Sequence, residues 1–136
     1  MAEASTGGLI EAELTALAGC SAYFRGGLVV YDDRSKTDIL GAPTQVFLDH
    51  GSVSAEACLA MAEAVRRLFQ ADMGLAETAI AGPGGATAAK PVGLSYVALS
   101  TAKHRDVREN HWSGDRAANR RASTDAALDL LAAYLA

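Results

Sequence analysis

The stretch from Ser54 to Ile80 constrains the fold most. Cys58, Met61, Ala62, Val65, Leu68 and Phe69 recur at helical spacing, while Glu56, Glu63, Arg66 and Arg67 fall elsewhere on the same helix. Ser54 stands where a side-chain cap belongs. A short apolar run over residues 74 to 80 follows, which reads as a buried strand. It runs into "AGPGGAT", residues 81 to 87, where one proline and three glycines forbid regular structure. A long amphipathic helix returning to a buried strand needs a sheet to cover, so the expectation is a layered α/β domain.

The flanking segments fit that reading. Leu9, Ile10, Leu14 and Leu17 predict a helix over residues 6 to 18, with Ser5 and Thr6 as its caps and Gly19 as its stop. Leu28 to Tyr31 reads as a strand after Gly26 and Gly27, and Asp32 and Asp33 cap a short helix ending at Gly41. Residues 92 to 100 and 107 to 112 read as an antiparallel hairpin, which makes the sheet mixed. Asp115 caps a final helix expected to bury Leu128, Leu131 and Leu135.

Composition narrows the class. A chain of 136 residues fits one domain with a real core, and half of its residues are apolar. The formal net charge of -4 argues against a general nucleic-acid surface. No apolar run reaches the 18 or so residues of a membrane span, and no leader pattern opens the chain. Cys20 and Cys58 form neither a disulfide framework nor a zinc pattern, so the expected setting is a reducing, cytoplasmic one. His50, His104 and His111 lack metal-ligand spacing, and no metal is expected.

Three groups of residues carry possible chemistry. Ser21, Tyr31 and Lys36 punctuate the segment "GCSAYFRGGLVVYDDRSK" (19 to 36); a lysine of lowered pKa can take a proton from a serine, with the tyrosine assisting. The bland alternative is a helix-end hydroxyl, a strand aromatic and a solvated charge. Two glycine-bearing loops, Thr6-Gly7-Gly8 and Ala81 to Gly85, offer backbone donors to an anion, or are simply turns. Neither matches the P-loop or dinucleotide pattern. In "SGDRAANRR", Arg116 and Arg120 lie four apart and suit a phosphate, or a solvated helix face.

Taken in order, "AEASTGG" (2 to 8), the segment 19 to 36, "HGSVSAEACLAMA" (50 to 62), "TAIAGPGGATAAKPVG" (78 to 93) and "SGDRAANRR" (113 to 121) resemble the CinA C-terminal domain family. That resemblance covers nearly the whole chain. It implies a three-layer α/β/α sandwich with a mixed sheet, and a nicotinamide mononucleotide deamidase that yields nicotinate mononucleotide and ammonia without a cofactor. It implies Ser21 as nucleophile, Lys36 as general base and Tyr31 as their assistant. Thr6, Gly7, Gly8, Ala81, Gly82, Gly84 and Gly85 would line the substrate pocket, with Arg116 on the phosphate.

The chain also departs from the family pattern. Where the family commonly has E-S-C-T-G-G, this chain has Glu3-Ala4-Ser5-Thr6-Gly7-Gly8, and Ala79 replaces a glycine in T-G-I-A-G-P. The family's opening helix and first strand are expected to be missing, leaving a free sheet edge and a homo-oligomer. Two alternatives to the deamidase follow: a non-catalytic homologue that binds nucleotides or assembles, and an unrelated serine amidase or esterase. The partner expected throughout is a small-molecule nucleotide, with no nucleic acid and no membrane.

Overall fold

The computed structural model describes residues 1–136. Its elements are β1 (Ala2–Glu3), α1 (Leu9–Thr15), β2 (Leu28–Val29), α2 (Thr44–His50), α3 (Ala55–Leu68), β3 (Gly74–Ala79), β4 (Leu94–Ser100), β5 (Arg105–His111) and α4 (Arg116–Leu135). A 3-10 turn covers Cys20–Ala22 and a π-helical turn Ser35–Ile39.

The five strands form one mixed sheet in the order β2-β1-β3-β4-β5. β1 pairs parallel with β2 and with β3, and the other two pairings are antiparallel. Helices α2 and α3 cover one face, and α1 and α4 the other. The expected three-layer α/β/α sandwich is therefore what the chain forms.

Strand alternation sorts the core. Ala76 and Ala98 point to the α3 side, while Leu75, Val97 and Leu99 point to the α4 side. Against the alanines, α3 buries Ala57, Cys58, Met61, Ala62 and Val65, and its Ser54 cap accepts from the Ala57 amide at 3.1 Å. Leu68 is left 49% exposed, while Phe69 beside it still packs against this core. Close contact with the sheet is possible because residue 74 is a glycine; a Cβ there would collide with the Ala62 carbonyl oxygen.

The remaining differences have physical causes. Helix α1 is shorter than predicted because the Ser5 and Thr6 hydroxyls are drawn to buried carboxylates instead of capping it. Helix α2, opened by Pro43, had no sequence signal strong enough to be foreseen. In α4, Asp115 accepts from the Ala118 amide as predicted, and Leu128 and Leu131 pack partly buried against the core, but the fully buried residues are Asn119, Ser123, Thr124, Ala127 and Leu130. Leu135 is 63% exposed. That face is polar in its first half because Ser123 bridges Trp112 Nε1 and Ser95 Oγ.

The sheet position expected to stand vacant is filled. Two residues, Ala2 and Glu3, take it and pair on both sides. The reason given for a free sheet edge falls away with it. The outer edge at β5 carries Arg105, Asp106, Arg108 and Glu109, charges of the kind that discourage edge-to-edge pairing.

Candidate functional site

The parallel strands β1, β2 and β3 end at a common rim, and a cleft of about 380 Å³ opens there. Ligands of α/β sheets usually sit beyond such strand ends. Its lining includes Ala4 and Ser5 after β1, Tyr31, Asp33 and Lys36 after β2, Ser52 and Val53 before α3, and Thr78 to Ala81 after and within β3. Gly82, Gly84, Gly85 and Arg116 complete it.

Lys36 is the buried cation of this cleft. Its side chain is 4% exposed, and Nζ donates to Asp33 Oδ1 at 3.3 Å and to the Tyr31 carbonyl at 3.4 Å. Asp33 also accepts from the Ser52 hydroxyl. That hydrogen bond, helped by Lys36, holds the Asp33 carboxyl below its usual range despite partial burial. A hydroxyl, a carboxylate and an ammonium thus form one connected set facing the cleft.

Arg116 closes the other side. It donates from Nη1 to the Gly82 carbonyl at 2.8 Å and from Nη2 to the Tyr31 hydroxyl at 2.9 Å. Asn119, one turn on, donates to the Ala81 carbonyl at 3.1 Å. The start of α4 therefore fixes the glycine loop against the end of β2. Gly82, with φ +87°, adopts a conformation that favours glycine.

Ser21 does not join this group. It lies on the exposed 3-10 turn before β2, whereas Tyr31 and Lys36 follow that strand. Because β2 runs parallel to β1, the segment that leads directly into it belongs to the opposite end of the sheet, where Tyr23 and Phe24 pack near Met1 and Met73. The expected turn of the chain that would bring Ser21 to Lys36 does not occur.

Thr6, Gly7 and Gly8 do not line the cleft either. Glu3, wholly buried, accepts from the amides of Gly8 (2.9 Å), Ile10 (3.1 Å) and Glu11 (2.6 Å). Of the amides expected to hold an external anion, those of Gly8 and Thr6 are taken by the chain's own carboxylates, Glu3 and Glu77. Glu77, equally buried, accepts from the amides of Ala4 and Thr6 and from the Ser5 hydroxyl, and Thr6 Oγ1 lies 2.6 Å from Glu3 and 3.0 Å from Glu77. Burial pushes the Glu77 carboxyl up, opposed by the Ser5 and Thr6 hydrogen bonds.

Of the predicted site residues, the fold collects Tyr31, Lys36, Ala81, Gly82, Gly84, Gly85 and Arg116 at one cleft. Sequence reasoning missed Asp33 and Ser52 as members of that cleft, and Arg120 as its support. Arg120 donates to the carbonyls of Ser5 (2.9 Å) and Thr6 (2.8 Å), locking the turn after β1. Asp33 carried a sequence signal as a polar residue just past a strand end, and Arg120 carried one as a phosphate candidate four residues from Arg116, a role its bonds to Ser5 and Thr6 replace; Ser52 carried none.

No helix is long and apolar enough to cross a membrane. Residues 1–135 match the family described as CinA C-terminal domain. A "CinA-like protein" of Geotalea daltonii is 46% identical over 131 residues, covering 96% of this chain and 32% of that protein. One from Gloeobacter violaceus is 46% identical over 133 residues, covering 96% and 31%. The chain thus spans about a third of the length of the curated relatives it matches.

Among solved structures, the competence/damage inducible protein CihA from Agrobacterium tumefaciens superposes with a TM-score of 0.93 at 38% identity, over 97% of this chain and 81% of that one. A competence-damaged protein (CinA) superfamily protein from Escherichia coli gives 0.91 at 26% identity, over 96% and 76%. The match over nearly every residue, with the same fold, places the chain in the CinA C-terminal domain family.

Proposed function

We propose that the cleft binds a pyridine mononucleotide and hydrolyses its carboxamide, giving nicotinate mononucleotide and ammonia from nicotinamide mononucleotide. The observation that carries this reading is Lys36, a buried ammonium on the cleft wall with a carboxylate and a hydroxyl in the same hydrogen-bonded set. An ammonium so placed can hand a proton to a departing amine. A volume of about 380 Å³ falls in the range of small-molecule pockets. Arg116 at the rim suits the phosphate, because a guanidinium fork binds phosphate oxygens in pairs.

The reaction in this reading uses water and no cofactor. Its nucleophile is a group of the cleft itself, since Ser21 stands at the other end of β2. Ammonia release from nicotinamide mononucleotide, measured with purified protein, tests it. Release above the uncatalysed rate is the expected result; none from folded protein rules the reading out.

One observation favours a second reading, nucleotide binding without turnover. Ala4 presents no hydroxyl to the cleft, and the Ser5 hydroxyl is committed to Glu77. Calorimetric titration separates the two. Mononucleotide binding without ammonia release supports the second, and turnover excludes it.

A further inference from the structure

Ser52, Asp33 and Lys36 come from two separate segments, the turn after β2 and the loop before α3, yet they meet on one wall of the cleft. The Ser52 hydroxyl donates to Asp33 Oδ1, and Lys36 Nζ donates to the same oxygen at 3.3 Å. Ser52 is half-buried and lines the cleft, while the Lys36 side chain is 4% exposed and reaches out from the protein interior. Thr78 Oγ1 donates to the Ser52 carbonyl at 2.9 Å and fixes the serine backbone against the end of β3. A serine next to an acceptor that is itself oriented by a third group is the arrangement of an activated nucleophile.

We infer that Ser52 is the nucleophile of this cleft, with Asp33 as the acceptor of its proton and Lys36 as the donor to the leaving group. The inference rests on the amide-hydrolysis reading and supplies the nucleophile that reading lacks. Ser52 Oγ forms a bond to the carboxamide carbon as its proton passes to Asp33. Lys36 gives a proton to the amide nitrogen, the C–N bond breaks and ammonia leaves. The Asp33 proton then moves along the existing hydrogen bond to Lys36. A water molecule attacks the resulting ester and yields its proton to Asp33, which returns it to Ser52 as the acid departs.

The proton path makes the aspartate's state decisive. Asp33 must be ionised at the start, and the hydrogen bond from Ser52 together with Lys36 holds it so across the neutral range.

The test uses the full chain and two readouts. A fluorophosphonate probe reports an activated serine whatever the substrate: Ser52 Oγ displaces fluoride from phosphorus, and the adduct is located by peptide mass. Ammonia release from nicotinamide mononucleotide reports turnover. The expected results are an adduct on Ser52, no adduct and no ammonia from Ser52→Ala, and a loss of about 100-fold or more in both readouts for Asp33→Asn. Ser52→Ala removes only one hydrogen bond, and its thermal melt should match the wild type.

Ammonia release by Ser52→Ala at the wild-type rate overturns the inference and leaves the amidase reading standing. An adduct on Ser52 with no ammonia from the wild type supports an activated Ser52 and removes the amidase reading. Neither adduct nor ammonia from the folded wild type overturns both.

Discussion

Arg116 and Tyr31, 85 residues apart in sequence, share a 2.9 Å hydrogen bond across the mouth of the cleft. The same guanidinium holds the Gly82 carbonyl at 2.8 Å. One side chain at the start of α4 thereby joins the ends of β2 and the glycine loop that follows β3. A phosphate entering at this rim competes with the Tyr31 hydroxyl for Nη2, and a dianion is the stronger acceptor.

Replacing Arg116 by alanine should weaken binding of nicotinamide mononucleotide by about 10-fold to 100-fold, the worth of a charge-assisted hydrogen bond. The nicotinamide riboside, which has no phosphate, should lose much less on the same substitution, only what the freed Gly82 loop costs. Calorimetric titration of both ligands checks this. Arg116→Lys should recover little, because an ammonium cannot bond Gly82 and a phosphate in the same plane.

Arg120 is a prediction about stability instead. Its two hydrogen bonds to the Ser5 and Thr6 carbonyls brace the turn that carries β1 into α1. Arg120→Ala should cost about 2 kcal/mol in denaturant unfolding, with the carbonyls losing a charged donor. Because Ser5, at the start of that turn, lines the cleft, binding should weaken as well. Unchanged unfolding would show that the brace is dispensable.

Glu77 predicts a pH dependence with a definite sign. Its folded-state pKa is raised above the ordinary 4.5, mainly by burial. The folded chain therefore holds the proton more tightly than the unfolded one. This contribution to stability is fully present below pH 4.5 and is lost as pH rises through the folded value. Asp33 acts in the opposite sense: its lowered pKa contributes stability above its ordinary 3.8, lost on acidification. Unfolding measured from pH 4 upward should therefore show Glu77→Gln gaining on the wild type as pH increases. A constant difference between the two would contradict the shift.

How much the sequence disclosed depends on whether local pattern or distant pairing decides a feature. Helix α3, its Ser54 cap, strand β3 and the β4-β5 hairpin follow from periodicity and turn chemistry within each segment, and all were legible. So was the Asp115 cap of α4. The five ordered motifs likewise disclosed the family and the three-layer sandwich.

Features set by partners remote in sequence were not legible. Ser5 and Thr6 look like helix caps until Glu77, over 70 residues away, is seen to take the Ser5 hydroxyl. The pattern of α4 placed Leu128 and Leu131 against the core but could not show that Ser123 is buried with a hydrogen bond to Ser95. Ser21 and Lys36 are 15 positions apart in sequence, a separation that carries no direction. Only the parallel pairing of β1 with β2 reveals that they occupy opposite ends of a strand. Ser52 was invisible for the converse reason, since nothing in its neighbourhood hints at Asp33.

The most direct test compares ammonia release from nicotinamide mononucleotide by the wild type, Lys36→Met and Ser21→Ala. Methionine fills the buried space of the lysine without its charge, so the fold should persist. The account predicts release by the wild type, equal release by Ser21→Ala and none by Lys36→Met. Loss of release in Ser21→Ala, or its survival in Lys36→Met, would contradict the claim that the chemistry belongs to the cleft around Lys36.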